Sequence, residues 1–169
     1  MPEAARPAAT DHDTPALAAG PGETLLAFLD YLREAVARKL EGCTEDDARR
    51  PLVPSGTSLL GLVKHLTVVE SYWVERRFAG LETRPLSTAA DAGFTLDRDD
   101  TVAGVLDAYR STVGRSNALV AGVPLDTPLA RGRHGQTLTW VLVHLVEETA
   151  RHAGHADILR ELVDGAAGR

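Results

Sequence analysis

The chain has a single cysteine, Cys43, so no disulfide can close within it and its fold does not depend on an oxidising compartment. No apolar run approaches the roughly 20 residues that a membrane-spanning helix needs. The first residues lack the charged-then-apolar order of a secretory signal, and acidic residues among them argue against an organellar transit peptide. These absences leave the cytoplasm as the default compartment and no membrane as partner. Positive charge is also short: the formal net charge is -6, which speaks against nucleic acid, because phosphate binding needs a basic surface. The basic pairs Arg49-Arg50 and Arg76-Arg77 read as solvated helix faces. Of 18 Lys and Arg only Lys39 and Lys64 are lysine; with abundant Ala and Gly this is the residue usage of a GC-rich bacterial genome.

What is present is enough for one domain. At 169 residues and 44% hydrophobic content, the chain can bury about two thirds of its unfolded surface. Residues 1–21 are rich in Ala and Pro without an apolar period, which predicts a flexible N-terminal arm. From about Glu23 to Leu40, the residues Leu25, Leu26, Phe28, Leu29, Leu32, Val36 and Leu40 follow the spacing of an amphipathic helix, and Gly42 supplies a stop. Pro51, Pro54 and Gly56 predict a connection over 43–57. Ser58 can cap a second helix to about Ala79, with Leu59, Leu62, Leu66, Val69 and Trp73 on one face. A loop over 80–98 leads to a third helix from about Asp99 to Ala121, in which Gly104 and Gly114 weaken the pattern. After a polar loop, the last helix runs from about Leu138 to Val163 and stops near Gly165. Four long helices and no strand pattern predict an all-α four-helix bundle over 22–169, with long inter-helix connections.

The last helix carries His144, Glu148, His152 and His155. With His144 at zero on a helical wheel, His155 falls near roughly 20°, Glu148 near 40° and His152 near 80°, while the apolar stripe centres near about 90°. The quartet therefore lies on the shoulder of the core face, with His152 deepest and Glu148 next. Side chains at i and i+4 are close enough to share one ion, and imidazole with carboxylate suits Zn, Fe, Ni or Mn. His65, on the shoulder of the second helix, is the natural third donor, and two His with one Glu would leave a coordination position open. The pattern alone also allows a plainer reading, in which these are hydrogen-bonded shoulder histidines without a metal. Glu147 lies on the far side of the wheel and reads as solvated.

The run T-W-V-L-V-H-L-V-E-E-T-A-R-H-A-G-H-A-D-I-L-R-E-L-V-D-G, Thr139 to Gly165, closely resembles the C-terminal signature of a branch of the DinB-like superfamily. S-L-L-G-L-V-K-H-L-T-V-V-E-S-Y-W, Ser58 to Trp73, resembles that branch's second helix. The resemblance implies a four-helix bundle whose divalent metal is held by His65, Glu148 and His152. Glu148 stands where many relatives have His, and the His-Glu-His version is similar to the metal-binding domain of mycothiol-dependent maleylpyruvate isomerase. That isomerase has an additional C-terminal domain not found within these residues, so isomerase activity is not carried over.

The resemblance further implies a mycothiol-type thiol as co-substrate, zinc as the first expectation for the metal with Ni, Fe or Mn as alternatives, and a homodimer. The expected activity is transfer of the thiol to an electrophilic small molecule, with His155 or His144 as proton acceptor. A metal-dependent hydrolase and a non-catalytic metal-binding stress protein are the alternatives. Asp157, Arg160 and Glu70 are candidates to support the ligands from behind, Glu70 equally an exposed carboxylate at a bundle edge. Arg131, Arg133 and His134 could meet an anionic group but read more simply as solvated loop residues. Cys43 reads as incidental.

Overall fold

The computed structural model describes residues 15, 20–83 and 94–166; the expected arm over 1–21 falls almost wholly outside them. α1 spans Pro21–Leu40, α2 Glu45–Arg49, α3 Leu59–Glu70, α4 Val102–Val120 and α5 Leu138–Asp164, and α3 continues without a break into a π-helical segment, Ser71–Phe78. The four long helical elements form the expected DinB-like all-α bundle, and α2 adds one short helix inside the predicted 43–57 connection. No helix among the described residues is long and apolar enough to cross a membrane.

The helix ends follow from local chemistry. Pro21 opens α1, where a missing N–H costs nothing. The Ser58 hydroxyl accepts from the Gly61 N–H at 3.2 Å, and the Thr101 hydroxyl from the Gly104 N–H at 3.0 Å. Gly165 closes α5 in the left-handed conformation at φ 77°. Gly104 and Gly114 interrupt nothing; α4 runs through both.

α1 packs chiefly on α5, and α3 on α4, with α3 also touching α5 and α1. Two apolar clusters result. One gathers Val36, Leu40, Leu59, Leu62, Leu66, Leu106, Tyr109 and Leu159; the other gathers Leu29, Val74, Phe78, Val120, Leu138, Leu142 and Leu145. The buried polar side chains Arg33 on α1, Thr112 and Ser116 on α4, and Thr149 and His152 on α5 lie between the two sets of positions, and Glu70 sits at their boundary on α3. A polar belt therefore crosses the middle of the bundle. Phe28, expected to face the core, is instead 48% exposed.

Glu70 neither supports a ligand nor lies at an exposed edge. It is 2% exposed and forms a two-pronged ion pair with Arg33, Nε to Oε2 at 3.2 Å with a second contact from Nη2 to Oε1. Arg33 also donates to Asp30 at 2.7 Å and Asn117 at 2.8 Å. Burial alone would lower the Arg33 pKa, but Glu70 and Asp30 outweigh it and hold the guanidinium above its ordinary value.

Candidate metal centre

α3 and α5 bring three donors together. Nε2 of His65 lies 3.4 Å from Oε1 of Glu148, and Nε2 of His152 lies 3.3 Å from the same oxygen. One ligand atom from each of the three falls within 4.8 Å of the other two. Donors about 2.0–2.1 Å from a tetrahedral ion are themselves roughly 3.3 Å apart, so both measured edges fit a shared divalent cation. Glu148 and His152 are one turn apart on α5, and His65 reaches them across the α3–α5 contact. The site lies at the polar belt because α5 turns its His152 inward there, between Leu145 and Ala156.

Electrostatics match the ligand forms. Burial would raise the Glu148 carboxyl, yet His152 and His65 pull it below the ordinary carboxylate value. Burial pushes the His152 imidazole down, against an opposing pull from Glu148. The two shifts are coupled, since a neutral His152 lowers Glu148 less. A carboxylate and an imidazole kept neutral by burial are the states in which both bind metal.

Along α5 the wheel holds for His152, the deepest, and for Glu148, but it sets His155 deeper than His144 and the structure reverses that pair. His152 is buried, Glu148 and His144 are half-buried, and His155 is exposed. His155 Nδ1 stands 3.4 Å from His152 Nδ1, on the ring edge facing away from Glu148. His144 is not beside the donors but one turn along, among Trp73 at 4.7 Å and Trp140 at 5.2 Å between ring centroids.

Two suggested supports are engaged elsewhere. Asp157 pairs with Lys39 at 2.8 Å, and Arg160 donates to the carbonyls of Lys39 and Glu41 at the end of α1. Arg131 is tied to Gly80 O at 2.9 Å and to Glu82; Arg133 and His134 are exposed.

Three features were not anticipated. Phe94 stacks on His65 with centroids 4.1 Å apart. Its segment is clamped by Lys64, which donates to Thr95 O, Asp97 and Asp100 at 3.1, 2.8 and 2.7 Å. Residues 55–58 and 94–96, together with Arg49 and Pro51, line a cleft of about 600 Å³ behind Phe94. A phenylalanine alone in the polar stretch 80–98 was the available signal. The third feature is the π segment, from which Trp73 meets Trp140 and His144 of α5.

Comparison with known proteins agrees with this architecture. A family model described as mycothiol-S-transferase matches residues 24–165. Among solved structures, the crystal structure of the conserved protein of locus from Enterococcus faecalis superposes with a TM-score of 0.63 at 18% identity, over 88% of this chain and 100% of that one; at that identity the likeness concerns the fold alone. No curated protein matches the sequence.

Proposed function

The chain belongs to the mycothiol-S-transferase family, and on that premise we propose that it joins a mycothiol-type thiol to an electrophilic small molecule at a divalent ion held by His65, Glu148 and His152. The observation carrying this reading is the meeting of two Nε2 atoms, from two different helices, on the single Oε1 of Glu148. Three protein donors leave room for an exogenous ligand, as catalytic rather than structural zinc sites do. The donor set suits zinc first, then nickel, iron or manganese.

A divalent ion bound there supplies acidity, so that a thiol loses its proton near neutral pH while its sulfur remains able to attack. The side chains do the rest. Glu148 offsets positive charge at the site, and His152 presents its Nε2 lone pair because burial keeps the ring neutral. His155 contacts the other ring nitrogen of His152 and holds the tautomer that faces Glu148. As the exposed histidine of the cluster, His155 is also our proposal for the group that exchanges protons with solvent. His144 we assign to the wall of the site rather than to proton transfer, since two indoles enclose it.

Replacing His65 or His152 by Ala tests the ligands. Elemental analysis should find most of the metal lost, with mycothiol transfer lost alongside it. Wild-type metal content in both variants would overturn the ligand set, and full transfer by chelator-stripped protein would overturn metal dependence. Ester cleavage without added thiol would favour hydrolysis at the same site.

A further inference from the structure

We propose that Trp73, Trp140 and His144 form the subsite for the electrophile, and that it selects flat aromatic acceptors. The use of the subsite rests on the transferase reading above; its existence as a binding surface does not.

Trp140, His144, Glu148 and His152 occupy successive i, i+4 positions and make one ridge along α5. The aromatic end of that ridge begins one turn, about 6 Å, from Glu148. Trp73 completes it from the other helix, with centroids 5.0 Å from Trp140 and 4.7 Å from His144. Trp140 and His144 are themselves stacked, 5.2 Å apart and 23° from parallel. An indole is costly to leave in water, yet Trp140 is 41% exposed, at the far end of the ridge that leads through His144 to the donors.

The backbone departs from α geometry where this surface is built. The Ala79 N–H bonds Val74 O, five residues back, at 2.9 Å. Trp73 lies within this π segment, Ser71–Phe78, where wider turns change which side chains share a face. Wide turns of this kind are rare and concentrate at functional sites. Arg77 then braces the ring from behind, its guanidinium carbon 5.5 Å from the Trp73 ring and 5.7 Å from the Tyr72 ring, with Nη1 donating to the Tyr72 hydroxyl at 3.0 Å. A preorganised pair of indoles offers a flat acceptor stacking and offers a compact aliphatic one little.

For an aryl chloride the step is balanced without further reagents. The thiol sulfur bonds the ring carbon, the carbon–chlorine bond breaks, chloride leaves with the electron pair, and the thiol proton passes to solvent.

Trp73 and Trp140 are the two tryptophans of the sequence, so fluorescence excited selectively at tryptophan reports this surface. Dinitrobenzene, flat and without a leaving group, should quench it saturably in metal-free protein without thiol. Trp140→Ala should weaken that binding by roughly tenfold, and Trp140→Phe should restore most of it. Linear quenching like that of free tryptophan would overturn the subsite. With metal and mycothiol, the ratio of kcat/KM for chlorodinitrobenzene over chloroacetamide should fall about tenfold in Trp140→Ala, while Val143→Ala, exposed on the same helix outside the surface, keeps the wild-type ratio. An unchanged ratio in Trp140→Ala with a change in oligomeric mass would overturn the proposal and make Trp140 a contact between copies. Saturable quenching without any transfer by wild-type protein would count against the transferase reading and still support the subsite.

Discussion

Phe94 lies face to face on His65, with ring centroids 4.1 Å apart and planes 14° from parallel. A residue from a connection thereby fixes the orientation of a candidate ligand ring on α3. The stacking is possible because Gly61 carries no side chain: a Cβ there would stand 2.7 Å from the Phe94 carbonyl oxygen. Phe94→Ala should lower affinity for a divalent ion about three- to tenfold in a chelator-competition titration, with the helical circular dichroism unchanged. Gly61→Val should act in the same direction and also cost roughly 1–3 kcal/mol of stability, because a backbone carbonyl has to move. Wild-type metal affinity in both variants would show that Phe94 does not orient His65.

Arg33 and Glu70 cross the bundle from α1 to α3, 3% and 2% exposed. Removing Glu70 leaves the buried Arg33 with only the half-exposed Asp30 as counter-charge. Glu70→Leu alone should therefore destabilise by about 3–5 kcal/mol in urea unfolding, whereas Arg33→Met combined with Glu70→Leu should recover most of that loss. Equal destabilisation by the single and double variants would contradict this account. Tyr109 packs in the same region, where burial pushes its phenol well up, so it stays neutral across the accessible pH range and does not confuse the comparison.

Cys43 is held above its ordinary thiol pKa of 9.0, chiefly by burial, with Arg160 opposing the shift. Its Sγ accepts from Arg160 Nη1 at 3.2 Å. At pH 7–8 the native thiol should therefore react with iodoacetamide more slowly than the urea-unfolded chain, and its pH–rate midpoint should lie above 9.0. Because the folded pKa is the raised one, the associated stability is complete below the unfolded pKa and is lost as pH rises through the folded value. A native midpoint below 9.0 would refute the assignment and reopen a nucleophilic role for this residue.

Much of the bundle was legible in the residues themselves. The apolar spacing over Leu25–Leu40, the cap at Ser58 and the glycine stop at Gly165 are local signals, and each marks a helix boundary to within a few residues. The depth of His152 and then Glu148 was legible for the same reason, since angular position on one helix depends only on spacing; that His144 would be more covered than His155 was not, because Trp73 covers it from another helix. The short α2 was masked by Pro51 and Pro54, which follow it, although Thr44 accepts from the Asp47 N–H at 3.2 Å as a regular cap. Glu70 was misread because its partner lies 37 positions away, and no local pattern signals a pairing between helices.

By itself the sequence determined that four amphipathic helices would form, and which edge of α5 would carry the candidate donors, because a helix repeats its faces every 3.6 residues whatever surrounds it. Only the tertiary structure decided that Phe94 would lie on His65, and that Trp73 would meet Trp140 and His144 from a π segment. Those contacts arise from which elements become neighbours and how the chain between them is clamped, and helical periodicity does not encode either.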